Sequence, residues 1–128
     1  MEKEEQREVV ERIKTFEDAL KETGRPDVPV FNDVPEDLRD YFKAQYKAVV
    51  ITEALNEGWK PDWEDENQKK YILWFWTKSP SGFAFGVANC DYSYPCAGST
   101  SRLCFRTKAL AEYAGKQFLD IWKDLIYK

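Results

Sequence analysis

At 128 residues, 43% hydrophobic and 33% charged, the chain fits one globular domain that can bury a core without disulfides or metal. Its 23 acidic against 19 basic side chains, a net charge of −4, argue against broad attraction to nucleic acid or an anionic membrane and leave only a local basic patch open. The absence of histidine removes the commonest general base, the usual catalytic triads and most catalytic zinc sites.

No run approaches the ~18 apolar residues of a membrane-spanning helix. Met1 is followed by Glu2-Lys3-Glu4-Glu5, the opposite of a signal peptide, so a cytoplasmic setting is expected. The three cysteines, Cys90, Cys96 and Cys104, are odd in number and fit no zinc spacing. They read as structural thiols, and no cofactor or metal is expected.

Residues 2–23 predict a helix, with Val9, Ile13, Phe16 and Leu20 forming one apolar stripe on a charged rod. Gly24 ends it, and Pro26 and Pro29 keep the next segment extended. A second helix is predicted from Asp33-Val34-Pro35-Glu36, where Asp33 caps the free amides, Glu36 reaches back and proline occupies the first turn. Leu38, Phe42, Tyr46, Val49 and the run from Ile51 to Leu55 make that helix apolar over much of its circumference, hence central; Gly58 closes it. Trp59-Lys60-Pro61-Asp62-Trp63 and the acids after it form a loop.

The six apolar residues Tyr71 to Trp76 predict a strand, about Lys70–Thr77, with both faces apolar. The turn Ser79-Pro80-Ser81-Gly82 leads to a second strand, Phe83–Ala88, and the pair reads as a hairpin. After an irregular stretch at 89–100, a third strand is predicted at Ser101–Arg106. Thr107 then caps a helix running to about Tyr127, whose stripe is Leu110, Ala114, Phe118, Ile121 and Leu125. The small Ala111, Ala114 and Gly115 would let it pack closely on something flat. The expected class is α+β: two N-terminal helices, a small antiparallel three-stranded sheet, and one C-terminal helix packed on the sheet.

If Phe75 lies opposite Phe85, then Leu73, Phe75, Phe83, Phe85 and Val87 share a core face with Leu103 and Phe105. The other face would carry Ile72, Trp74 and Trp76 beside Ala84, Gly86, Arg102, Cys104 and Arg106. The simplest arrangement has the first helix cover it. Left open, it would be either a protein interface, since Trp, Tyr and Arg dominate such patches, or a stacking platform for unpaired bases.

No glycine-rich phosphate loop is present, and the carboxylates at Asp62–Glu66 are explained by solvation. Enzymatic activity is not expected. In the Trp59–Trp63 loop the two indoles either form an exposed clamp or plug the ends of the second helix and the sheet edge, with Asp62 turning the chain. Asp91-Tyr92-Ser93-Tyr94-Pro95 has the rigid-Tyr, adaptable-Ser composition of a binding loop.

Several longer motifs, Val34-Pro35-Glu36-Asp37-Leu38-Arg39, Ala54-Leu55-Asn56-Glu57-Gly58-Trp59-Lys60-Pro61-Asp62-Trp63, Ser101-Arg102-Leu103-Cys104-Phe105 and Leu110-Ala111-Glu112-Tyr113-Ala114-Gly115-Lys116-Gln117-Phe118, resemble a family of small uncharacterised proteins of Bacteroidetes bacteria and their phages or prophages. The resemblance covers most of residues 33–126, so within the single domain expected over 1–128 it marks 33–128 as the family core and leaves 1–32 as a helical N-terminal extension. It assigns no activity, and it shifts the setting toward mobile elements, where small acidic proteins inhibit host defence systems such as nucleic-acid-guided ones. The expected function is therefore non-enzymatic binding of a macromolecular partner, a host or phage protein, as inhibitor or accessory factor. Candidate contacts are Trp59, Trp63, Trp74, Trp76, Tyr92 and Tyr94. A single-strand nucleic-acid binder using Trp74, Trp76, Arg102 and Arg106 is the alternative, disfavoured by the net charge. A structural protein without a ligand is a third reading; no membrane partner is expected, and pairing with a second copy is left open.

Overall fold

The computed structural model of the protein describes residues 8–90 and 102–128. In chain order they form α1 (residues 8–12), α2 (Phe16–Thr23), α3 (Glu36–Asn56), β1 (Tyr71–Trp76), β2 (Ala84–Cys90), α4 (Lys108–Gln117) and α5 (Leu119–Tyr127). The class is α+β as expected. Among the described residues, however, there are five helices and a two-stranded sheet, so several predicted elements need correction.

The first predicted helix is two. Its apolar stripe runs unbroken through residues 13–15, but Thr15 is extended there (φ −133°, ψ 166°) and opens a new helix. Asp18 N–H donates to Thr15 Oγ1 at 3.1 Å, while the Asp18 carboxylate accepts from Thr15 N–H at 3.1 Å and Lys14 N–H at 3.0 Å. This capping box satisfies amides that a continuous helix would have used internally, an exchange worth ~1 kcal/mol. Gly24 ends α2 as expected, in the left-handed region at φ 71°.

Helix α3 begins at Glu36 and not at Asp33. Pro35 occupies the cap position in an extended conformation, and no side chain caps the helix there. A residue before proline is pushed away from helical geometry, which keeps Val34 out of the helix. Arg39 ties the entry segment down instead, donating to Val34 O at 2.8 Å and Asn32 O at 3.2 Å.

The hairpin forms with Phe75 opposite Phe85, as read from the sequence, and Gly82 N–H closes its turn on Ser79 O at 2.9 Å. The register then slips: Trp74 pairs with Val87, so Gly86 is an extra residue on β2, a bulge. From Val87 onward β2 is therefore turned over. Val87 leaves the predicted core face, lies beside Trp74 and is 43% exposed, while the buried Ala88 takes the place opposite Leu73.

The third strand reduces to one antiparallel bridge, in which Tyr71 and Phe105 exchange hydrogen bonds of 3.0 and 2.9 Å. Asn56, at the end of α3, holds the backbone on either side of Phe105. Its Nδ2 donates to Cys104 O at 2.9 Å and its Oδ1 accepts from Arg106 N–H at 3.1 Å. Neighbouring residues of an extended segment address opposite edges, so these groups face away from β1 and Asn56 pins the segment from its far side; Ser101 lies outside the described residues.

Thr107 caps α4 through Leu110 N–H at 3.2 Å, but the C-terminal helix breaks at Phe118 (φ −111°, ψ 33°). The break lets both Phe118 and Trp122 turn inward, with Trp122 Nε1 donating to Ala114 O at 3.0 Å. Ala48, Ile51 and Leu55 of α3, Leu110, Ala111 and Ala114 of α4, and the fully buried Phe105 form the centre of the core. Each large apolar side chain there contributes roughly 1.5–3 kcal/mol on burial. The N-terminal helices join this core from the side away from the hairpin's outer face: Val9 and Ile13 are buried, Tyr113 Oη donates to Ile13 O at 2.6 Å, and Gln117 Nε2 donates to Lys14 O at 2.8 Å.

Candidate functional site

Among the described residues, α1 and α2 do not cover the outer face of the hairpin, contrary to the simplest expectation. Trp74 is 56% and Trp76 61% exposed, and the pairing places Val87 and Ala84 beside them. Alternate residues of a strand share a face, so the two indoles stand in a row. Gly86 provides the seat, since a Cβ there would lie 3.0 Å from Trp74 O and 3.2 Å from Trp76 Nε1.

The cations expected on this face are elsewhere. Cys104 is fully buried, and Arg106 is turned to the end of α3, where Nη2 meets Glu57 Oε1 at 2.8 Å. Glu57 also holds Arg12 at 3.1 Å, and Arg12 holds Glu22 at 3.0 Å. The hydrogen bonds that Arg12 donates to Glu22 and Glu57 raise its pKa above the ordinary guanidinium value. Arg106 belongs to that network, and its buried Nε has no partner among the described residues.

Arg102 lines an open cleft of about 390 Å³ at the C-terminal end of α3, together with Trp59, Trp63, Lys60 and Pro61. The chain reaches this cleft by leaving α3 through two left-handed residues, Glu57 (φ 49°) and Gly58 (φ 85°), which swings Trp59 back over Asn56. Short polar links then shape the loop. Asp62 N–H donates to Gln68 Oε1 at 2.6 Å, Glu64 N–H to Asp62 Oδ1 at 3.0 Å, and Asn67 N–H to Asp65 Oδ1 at 2.9 Å. Asp62 does turn the chain. The anchor is a residue with no signal in the sequence: Lys70, 2% exposed, donates to Asp65 O and Gln68 O at 3.2 Å each and places its Nζ 5.0 Å from the Trp63 ring centroid. That cation–ring contact fixes one wall of the cleft. Arg25 and Glu53, paired at 3.0 Å, form the opposite rim, and Glu53's hydrogen bonds raise the Arg25 pKa.

A second recess, of about 180 Å³, lies between the outer edge of β1 and α5, lined by Ile72, Trp74, Leu103, Trp122 and Ile126 among others, all apolar. Leu103 lines both cavities, so cleft, recess and exposed indoles follow one another across a single strip of surface. Of the sequence candidates, Trp59, Trp63 and Arg102 meet in the cleft, Trp74 and Trp76 on the hairpin, and Arg106 in neither. Tyr92 and Tyr94 lie outside the described residues.

Among the described residues no three or more Cys, Asp or Glu gather as a metal site, and no helix is long and apolar enough to cross a membrane. In comparisons with known proteins the chain matches no protein family, no curated protein and no solved structure.

Proposed function

We propose that the chain works without chemistry of its own, by binding a protein partner through the strip that runs from the Trp59–Trp63 cleft past Leu103 to Trp74 and Trp76. The observation that carries this reading is the pair of indoles, each more than half exposed on a sheet face that no described helix covers. Trp is among the residues most enriched at the energetic centres of protein interfaces, and a row of two with small residues behind it offers a flat apolar contact. In the mobile-element setting that the resemblance implies, the partner would be a component of host defence or of a phage assembly, with this chain as inhibitor or accessory factor. The nucleic-acid alternative has less support: phosphate contacts need cations beside the stacking rings, and Arg106 is committed to Glu57 while Arg102 lines the cleft.

The test is capture of partners from host lysate by the wild-type chain and by the Trp74→Ala/Trp76→Ala variant, each with and without nuclease. A partner that survives nuclease, is lost by roughly 30-fold or more in affinity in the variant, and responds weakly to salt supports the proposal. Material lost on nuclease treatment, with log-linear salt dependence, would replace it with the nucleic-acid reading. Capture unchanged in the variant would remove the hairpin from the interface.

A further inference from the structure

We propose that the cleft at the C-terminal end of α3 binds a nucleoside monophosphate, with the base stacked on its indoles and the phosphate held by Lys60 and Arg102. The cleft measures about 390 Å³, inside the roughly 300–1,000 Å³ that small-ligand sites occupy. One face of α3 forms a wall, since Val49, Thr52 and Asn56 recur there with helical spacing. The loop after α3 adds the flat apolar surfaces of Trp59 and Trp63.

Charge singles this cleft out. The chain carries a net charge of −4, yet among the described residues that line the cleft, Arg25, Lys60 and Arg102 stand against Glu53 alone. Arg25 is spent on Glu53 at 3.0 Å, whereas Lys60 and Arg102 form no ion pair or hydrogen bond with any described residue. Two uncommitted positive charges match the charge of about −1.5 to −2 that a phosphate monoester carries near pH 7. A triphosphate would bring more charge than they neutralise, and the sequence has no glycine-rich loop to cradle it.

The rings decide the rest of the ligand. Lys70 Nζ lies 5.0 Å from the Trp63 ring centroid, and Lys70 does not itself line the cleft, so this cation sits behind the ring. It draws on the π electrons of Trp63, which makes the ring a poorer host for a second cation and leaves stacking with a neutral heteroaromatic plane. A quaternary ammonium, the other usual guest of indoles, is also repelled by Lys60 and Arg102. Thr52 spends its one hydroxyl proton on Ala48 O at 2.8 Å and keeps only acceptor lone pairs, which suit the amino or ring N–H donors of a base. The hairpin platform has rings without cations beside them; the cleft has both. Trp74 and Trp76, which carry the partner reading, take no part, so this inference goes beyond that reading and does not depend on it.

The experiment is calorimetric titration of the full chain with AMP, and with adenosine and inorganic phosphate as its two halves. AMP should bind with one-to-one stoichiometry, and each half at least ~10-fold more weakly. Trp63→Ala should weaken AMP by roughly 5- to 100-fold, the range of one stacked base. Lys60→Ala/Arg102→Ala should weaken it by ~10-fold or more and flatten its salt dependence, while Lys78→Ala, outside the cleft, should leave it unchanged. Circular dichroism checks folding; if Trp63→Ala misfolds, the two cations decide, since neither has a structural partner to lose. No saturable binding of AMP at millimolar concentration, either half binding as tightly as the whole, or affinity that survives removal of both cations would each overturn the proposal. A chain that binds AMP in this pattern yet captures no protein upholds it and sinks only the partner reading.

Discussion

Replacing Gly115 by alanine tests how tightly α4 is pressed onto the hairpin. A Cβ built at Gly115 falls 2.5 Å from Phe85 Cε1 and closer still to Cδ1, with Cγ at 3.1 Å, where carbon contacts normally sit at roughly 3.5–4.0 Å. The ring must move by about 1 Å, and it is not free to do so. Phe75 stands edge-on to it at 5.9 Å, and Lys116 Nζ lies 5.9 Å from its centroid. Overpacking of this kind costs about 1–3 kcal/mol, against which alanine recovers up to ~1 kcal/mol of helix propensity. The expected net loss is about 1–2 kcal/mol, a fall in Tm of roughly 3–8 °C for a domain of this size. Urea unfolding of Gly115→Ala, Phe85→Leu and the double variant gives the coupling directly. The smaller side chain should absorb most of the cost of the alanine, with an interaction of about 1 kcal/mol. A Gly115→Ala protein as stable as wild type, or more so, would show that propensity alone acts at this position and would refute the close approach.

Asn56→Ala removes the partners of Cys104 O and Arg106 N–H together and should cost about 2–4 kcal/mol, read from the urea midpoint; a loss below ~1 kcal/mol would mean that the clamp does not hold the Phe105 segment. Asp18 bears on pH. Its hydrogen bonds from the Lys14 and Thr15 amides hold the carboxyl below its ordinary 3.8, so the stabilisation is present above that value and is lost as pH falls through the lowered pKa. Thermal unfolding of Asp18→Asn should therefore decline less steeply than wild type below about pH 4, and identical acid limbs would sink this assignment.

Much of the secondary structure was legible because it rests on local signals. Apolar runs on either side of Ser79-Pro80-Ser81-Gly82 predict the hairpin, Thr107 the start of α4, and Gly24 the end of α2. The break at Thr15 was also written locally, as Thr-x-x-Asp, but the stripe Val9, Ile13, Phe16, Leu20 passes straight through it. Periodicity reports which face is buried and is blind to where the amides are satisfied. The missing third strand is a different kind of error. The segment meets β1 at Phe105 alone and is pinned from its far side by Asn56, about fifty residues away, and nothing local to residues 101–106 reports that anchor. The same long-range contact divides the candidate site, because it helps decide where Arg102 and Arg106 point. Trp59, Trp63 and Arg102 were each visible as candidates, whereas their meeting in one cleft, and the buried Lys70 that steadies it, depend on tertiary placement.

Gly86 connects the local chemistry of the hairpin to its proposed use. As the bulge residue it turns Val87 outward and lets Trp76 lie against bare backbone, while leaving the alternation of β1, and so its outer edge, undisturbed. A Cβ at this position meets Trp74 O at 3.0 Å and Trp76 Nε1 at 3.2 Å. The carbonyl cannot retreat without moving β1, but the exposed indole can swing away. Gly86→Ala should therefore be nearly neutral in stability, since a strand alanine gains ~0.5–1 kcal/mol over glycine and offsets most of the crowding. Its effect should fall on Trp76: a shifted tryptophan emission, and a loss of partner affinity approaching that of Trp76→Ala. If Trp76→Ala weakens the partner while Gly86→Ala leaves both emission and affinity unchanged, the indole acts without this seat. The bulge would then serve the fold by turning Val87 and Ala88, and the flat pairing of the two tryptophans would not be a condition of binding.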